Sequence, residues 1–292
     1  IGHSETQHSE SGGHSATGNG KATVLDGYLG RETSLVNLLE SQDNSVFQKL
    51  SGLFSCAIMG AEGNQLTLMR DHSGTRPLYF TRGNGRLAFA SSPDALFALN
   101  EVNRQLDPQG VFLYTVMICP PDPVTIYENI QMLRPGFRLT ISNGTEELEE
   151  YWSAPWQPNG KTISPEDAAP ELLTAMEHAV QDAMPDIMTN TGFFLSGGTD
   201  TGAVVALAAR SVKTPVKTFT IGYEGTGAGY EDYNEFHYAR LIAEHYGTEH
   251  HEFHISPDSL KSALPRIIAG LKQPSGDAIN TFLVSGTLPG EI

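Results

Sequence analysis

Positive charge is scarce in this sequence. Its 292 residues hold 18 Lys and Arg against 34 Asp and Glu, a formal net charge of −16 with histidine neutral. The sequence pI is near 4.9. A nucleic-acid binder needs a basic face, so the charge disfavours that class. An anionic ligand is not excluded, because a local nest of backbone N–H groups can hold phosphate inside an acidic protein. No apolar run approaches the length of a bilayer-spanning helix, which excludes that kind of membrane protein. No leader pattern is visible at the start. Cysteine is nearly absent: Cys56 lies in the apolar run LFSCAIM and Cys119 precedes two prolines. Neither a disulfide framework nor a zinc site follows from such a pair, and a reducing cytoplasm is the simplest home.

The length suits two domains rather than one. Residues 1–20, IGHSETQHSESGGHSATGNG, are Ser, Gly and His with almost nothing apolar, which predicts a flexible tail or surface loop. His3, His8 and His14 have no carboxylate or cysteine constellation to fix a metal and read as exposed loop histidines. GNGKAT lacks the first glycine of a Walker loop and the hydroxyl after Lys21, so that motif is excluded.

Residues 21–153 are β-rich. LFSCAIM, QLTLMRD, PLYFTR, RLAFASS and GFRLTISN are short apolar or alternating runs, parted by turn clusters such as AEGN and GNG. The spacing predicts an antiparallel meander. Helices are expected around SLVNLLES and from Asp107-Pro108, an N-cap followed by proline. Pro, Asn and Gly then mark a linker over 154–163.

Residues 164–292 alternate helix and strand. Ser164-Pro165-Glu166-Asp167 opens a helix whose Leu172, Met176, Val180 and Met184 form one apolar stripe. GFFLS, VKTFTIGY and HEFHI read as strands. GAVVALAAR, EFHYARLIAEHYG and a segment capped at Ser256-Pro257 read as helices, with Gly247 closing the second. Such alternation predicts a parallel sheet with helices on its faces.

In an open parallel sheet, ligands bind beyond the carboxyl ends of the strands, where FFLSGGTDTGAVV places Ser196, Gly197 and Gly198. Glycine lets a ligand approach the backbone closely, and the helix that follows points its first N–H groups at the same space. Ser196 and Thr201 add hydroxyls. Asp200 would repel a bare phosphate, but fits if a divalent cation lies between them. A plain strand-to-helix turn, with Asp200 as a cap, explains the spacing equally well.

The segment LSGGTDTGAVVALAAR resembles the pyrophosphate-binding loop of the asparagine synthetase family, usually written S-G-G-x-D-S. The likeness continues through VKTFTIGYE, YNEFHYARLIAEHYGTEHHEF and KQPSGDAINTFLVS. Upstream, LSGLFSCAIM, LTLMRDHSGTRPLYF, RLAFASSPDALF, RQLDP and MLRPGFRLT resemble that family's N-terminal amidotransferase-type domain. The resemblance implies an Ntn-type αββα antiparallel sandwich over 21–153. It implies a parallel α/β sheet of the adenine nucleotide alpha hydrolase (PP-loop) type over 164–292.

It also implies an ATP- and magnesium-dependent (Mg2+) ligase. A small carboxylic acid, aspartate or an analogue, would be activated as an acyl-adenylate, pyrophosphate released and an amide formed. Carried over by position, Ser196, Gly197, Gly198, Asp200 and Thr201 would cradle pyrophosphate. Leu195, Ile221 and Gly222 would line the adenosine site, and Asp200 would be the magnesium ligand. Gly202 stands where the family has a second Ser. The acid–base residues of the reaction are not identifiable. A homodimer is an open alternative, and neither nucleic acid nor membrane is implied as a partner.

Two departures stand out. The family's second acidic glycine loop is expected after NTFLVS, where this chain reads SGTLPGEI. A truncated chain is the expectation, since a domain cut there exposes apolar faces. Ile1 stands where the family's glutaminase has its nucleophilic cysteine, and Asp26-Gly27 where it has an oxyanion-binding Asn-Gly pair. Glutamine hydrolysis is therefore not expected. Relatives without that cysteine, the β-lactam synthetases and lasso-peptide cyclases, close an amide within one molecule, which gives a second reading. A non-catalytic scaffolding or regulatory paralogue is a third.

Other features carry blander expectations. His250, Glu252 and His254 share a strand face that could bind zinc, although a sheet-edge role is the plainer reading. Arg70, Asp71 and Arg76 read as structural ion pairs supporting the domain interface. Glu231 and Asp232 read as solvated, and Glu235 as a cap or helix partner. Gln273 stands where relatives have an acid, leaving Asp277 as the nearest acidic candidate on the substrate side.

Overall fold

Short apolar or alternating runs, separated by turn formers, set most of the paired strands of the first half of the chain. A computed structural model describes residues 4–6, 13–18, 21–29, 47, 50–154, 162–184, 191–225, 234–271, 273–275 and 278–287. The chain divides into two compact units, 1–158 with 272–274, and 159–271 with 275–292.

The first unit runs β1 (Ser4–Thr6), β2 (Gly13–Gly18), β3 (Lys21–Leu29), β4 (Gly52–Met59), β5 (Gln65–Arg70), β6 (Tyr79–Gly83) and β7 (Arg86–Ala90). Helices α1 (Pro93–Phe97) and α2 (Pro108–Met117) follow, then β8 (Ile130–Met132), β9 (Phe137–Ser142) and β10 (Thr145–Glu150). One sheet has the order β1-β2-β3-β4-β5-β9-β10 and the other β7-β6-β8, with antiparallel pairing throughout. Alternation along the strands sorts the core. Ala57 and Leu68 meet Phe80 of the smaller sheet, while Phe54, Cys56 and Met69 point to the opposite face with Leu25, Leu50 and Tyr151. Tyr79, Ile130 and Met132 cover Leu96 of α1 on the outer side of the smaller sheet. Asn84-Gly85 and Asn143-Gly144 all have positive φ, as two-residue hairpins require.

The expected meander is present through β5 and then broken, because β6, β7 and β8 leave to form the smaller sheet. The tail expected over 1–20 is paired at Ser4–Thr6 and Gly13–Gly18, which extend the sheet from β3. Main-chain bonds build such edge strands without apolar side chains. Acid-rich β10 was not expected from the sequence either. The helix expected at SLVNLLES lies outside the described residues.

The second unit runs α3 (Pro165–Ala183), β11 (Gly192–Phe194), α4 (Thr199–Ser211), β12 (Lys217–Tyr223), α5 (Phe236–Tyr246), β13 (Glu249–Ile255), α6 (Pro257–Gly270) and α7 (Ala278–Thr287). Its parallel sheet has the order β11-β12-β13. One apolar cluster joins Leu195 and Val216 to Val205 of α4 and Ala239 and Ala243 of α5. Another joins Ile255, Ile221 and Tyr223 to Ile267 of α6 and Leu283 of α7. Helix starts follow the expected caps: the side chains of Asp107, Ser164 and Ser256 accept from Gln109, Asp167 and Ser259 N–H at 3.0–3.1 Å. Gly247 closes α5 in the left-handed region. On α3 the apolar stripe stays half-buried at Met176, Val180 and Met184, and Leu172 is exposed. No helix among the described residues is long and apolar enough to cross a membrane.

Candidate functional site

The loop between β11 and α4 is shaped by two glycines and two hydroxyls. Gly197 has φ +83°, and a Cβ there would lie 2.6 Å from Tyr238 Cβ and 2.8 Å from Ala239 N. The loop therefore packs against the backbone of α5 at a point only glycine fits. Thr201 Oγ1 accepts from Ser196 N–H at 3.1 Å and lies 3.0 Å from Ser196 Oγ, which accepts from Gly198 N–H at 3.3 Å. The hydroxyls thus brace the loop as well as facing the site. Gly198 is the N-cap of α4 and supplies no side-chain cap, so the first N–H groups of the helix stay open toward solvent or ligand. Asp200 is exposed in that first turn, where the helix dipole favours an acid.

Beside the loop lies a cavity of about 400 Å³, within the range of small-molecule sites. Phe194, Leu195, Ser196 and Thr201 line one side. Phe219, Thr220, Ile221 and Tyr223 of β12 line another, and Glu235, Asn280, Thr281 and Val284 complete the described wall. The Thr220 hydroxyl donates to Leu195 C=O, and the Tyr223 hydroxyl donates to Asn280 Oδ1. Burial pushes the Tyr223 phenol above its ordinary range, so it stays a neutral donor at physiological pH.

Four of the eight expected binding residues line this cavity: Leu195, Ser196, Thr201 and Ile221. Gly197, Gly198 and Asp200 are on the adjoining loop and helix turn, outside the lining set. Gly222 is turned away. A Cβ there would come within 2.1 Å of the Phe236 ring, so the glycine serves the packing of α5 and does not form the cavity wall. Gly202 is likewise a packing residue, 3.0 Å from Ile242 Cδ1 at its virtual Cβ. The sequence reading did not assign the other lining residues to the site: Phe194, Phe219, Thr220 and Tyr223 near the strand ends, Glu235, and Asn280, Thr281 and Val284 of α7. TFLVS was matched as a block, but only the fold brings α7 over β12.

Expectations for Glu235 and Arg70 are corrected. His250, Glu252 and His254 lie on β13, the edge strand of its sheet, as the plainer of the two expectations had it, and among the described residues no group of three or more His, Cys, Asp or Glu could hold a metal. Glu252 instead accepts from Arg240 Nε at 2.7 Å and sits 3.4 Å from His250 Nε2, while the His254 ring lies 4.8 Å from that of Phe236. The guanidinium holds the Glu252 carboxyl below the usual range. Glu235 is the N-cap residue of α5 but does not cap it. Arg70 pairs with Asp122 at 2.7 Å rather than with Asp71. The buried Asp71 carboxylate accepts five hydrogen bonds, from Phe54, Ser73, Thr75 and Arg76 N–H and the Ser73 hydroxyl. It organises the turn after β5, to which Arg76 gives only main-chain groups. Asp26-Gly27 lies inside β3, where Gly27 has φ +111° and a Cβ would meet Leu53 C=O at 2.0 Å. Glu231, Asp232, Asp277, His3 and His8 lie outside the described residues, and His14 falls in β2.

The order of parts decides the relationship. A family model for asparagine synthase matches residues 171–288, which contain every residue named in the cavity wall, and one for a glutamine amidotransferase domain matches 32–152. The chain belongs to the asparagine synthetase family. Glutamine-hydrolyzing asparagine synthetase 1 of Bacillus subtilis is 29% identical over 244 residues, 81% of this chain and 36% of its own length. The carboxyethyl-arginine beta-lactam-synthase of Streptomyces clavuligerus is 26% identical over 251 residues, 85% of this chain and 44% of its own. This family member thus spans about a third of the length of the asparagine synthetases it matches. Among solved structures, a glutamine phosphoribosylpyrophosphate amidotransferase from B. subtilis aligns over 91% of this chain and 78% of its own at 12% identity and a TM-score of 0.31.

Proposed function

We propose that this protein is an ATP- and magnesium-dependent amide-forming ligase that activates a carboxylate as an acyl-adenylate and releases pyrophosphate. The observation that carries the reading is the Leu195–Thr201 loop at the carboxyl end of β11, opening an uncapped α4 beside a cavity of matching size. The residues fit a nucleotide. Open N–H groups in the first turn of α4 would meet phosphate oxygens. Phe219, Ile221 and Val284 offer an apolar wall for a base. Magnesium needs one or two protein carboxylates besides phosphate oxygens; Asp200 would hold it, and the bound ion would stabilise the charge on the leaving pyrophosphate. The finer fold is part of this proposal: an Ntn-type αββα layer in the first unit and a PP-loop sheet in the second. So is the setting, a reducing cytoplasm, where Cys56 and Cys119 remain free thiols.

A carboxylate resists nucleophiles, and adenylation gives it a good leaving group. The chain's task is to hold the phosphates still and to receive the developing charge on fixed dipoles. The test is pyrophosphate release from ATP with a panel of small acids that includes aspartate. Acid-dependent release, abolished in Asp200→Ala, is expected; a protein that binds no ATP would refute the reading. The similarity to a beta-lactam synthase supports a second reading, ring closure within one substrate. Mass spectrometry separates them: ring closure loses one water and gains no nitrogen.

A further inference from the structure

We propose that Asn234, which does not line the cavity, is a positioning residue for the nucleotide's base; this rests on the nucleotide reading above. β11 and β12 pair only as far as Phe194 and Phe219, whereas β12 and β13 pair on to Tyr223 and Ile255. In a parallel sheet, successive residues turn their main-chain groups to alternate neighbours. Glu224 N–H donates to Ile255 C=O at 2.9 Å. Tyr223 therefore faces the other side, where β11 has already ended.

There the Asn234 side chain takes the place of a strand. Its Oδ1 accepts from Tyr223 N–H at 2.8 Å, and its Nδ2 donates to Tyr223 C=O at 3.1 Å. A carboxamide offers donor and acceptor together, as a peptide group does. Gly222 makes room, since a Cβ there would lie 2.7 Å from Asn234 Oδ1. The residues on either side of Gly222, Ile221 and Tyr223, both line the cavity. Without the amide, the last turn of β12 would have two open main-chain groups and a wall free to shift. The phosphate loop is held separately, by Ser196, Thr201 and the contact of Gly197 with α5.

The test is calorimetric titration of the full protein with ATP and with pyrophosphate, on wild type, Asn234→Ala and Asn234→Asp, with melting temperatures alongside. Asn234→Ala is expected to weaken ATP about tenfold, the effect of one or two main-chain bonds lost at the wall, and to leave pyrophosphate affinity unchanged. Asn234→Asp keeps the acceptor and loses the donor, and should fall between. Equal ATP affinity in wild type and Asn234→Ala overturns the proposal. So does a parallel loss of ATP and pyrophosphate binding, the mark of a merely structural role. Wild type that binds no ATP would instead bring down the ligase reading itself.

Discussion

Two cysteines with the same chemistry sit in opposite surroundings. Burial pushes the Cys56 thiol up to about 12, whereas Cys119 is exposed. A thiol reagent at pH 8 should label Cys119 alone in the native protein and Cys56 only after denaturation. The Arg70–Asp122 pair makes a second prediction at this scale. Burial raises the Asp122 carboxyl above its ordinary value, against the opposing pull of Arg70. The folded state then keeps that proton to higher pH than the unfolded one. This group's contribution therefore favours folding as pH falls through the folded value, and levels off below the unfolded one. Arg70→Met leaves the carboxylate unpaired at pH 7, a loss on the order of 3 kcal/mol. Urea midpoints of variant and wild type should lie closer together at pH 5 than at pH 7.

At the scale of elements, the clearest signals were those with local causes. Helix starts at Asp107, Ser164 and Ser256 each needed one capping side chain and a proline, both adjacent in sequence. The glycine loop was equally legible, because strand, turn and helix follow one another without a gap. β10 was not, since TEELEE has no apolar alternation and pairs through its main chain with β9. The α7 side of the cavity was hidden for another reason: Asn280 meets Tyr223 across 57 positions of sequence. At Gly222 the spacing shows that a glycine is needed, but not which neighbour requires it: the Phe236 ring, which only the fold brings there. Gly197→Ala tests the loop as an element. It combines a left-handed φ with a clash against the α5 backbone, and should destabilise the second unit by about 2–3 kcal/mol and weaken ATP binding. Chemical denaturation followed by nucleotide titration checks both.

The whole molecule divides into two units with separate cores. Each is expected to melt on its own, giving two calorimetric transitions. ATP at about 100 times its dissociation constant should stabilise the second unit alone, by about 2.7 kcal/mol, and leave the transition of the first unmoved. Net charge of −16 also has a consequence at this scale: on the proposed reading, ATP would be drawn in by local N–H groups and a metal against a repulsive field, so affinity without magnesium should be much weaker. The most direct measurement is a crystal structure with magnesium and a non-hydrolysable ATP analogue. It should show the phosphates against Ser196–Thr201, the metal at Asp200 and the base against Ile221. A triphosphate bound elsewhere, with Asp200 far from any phosphate oxygen, would contradict the assignment of this loop.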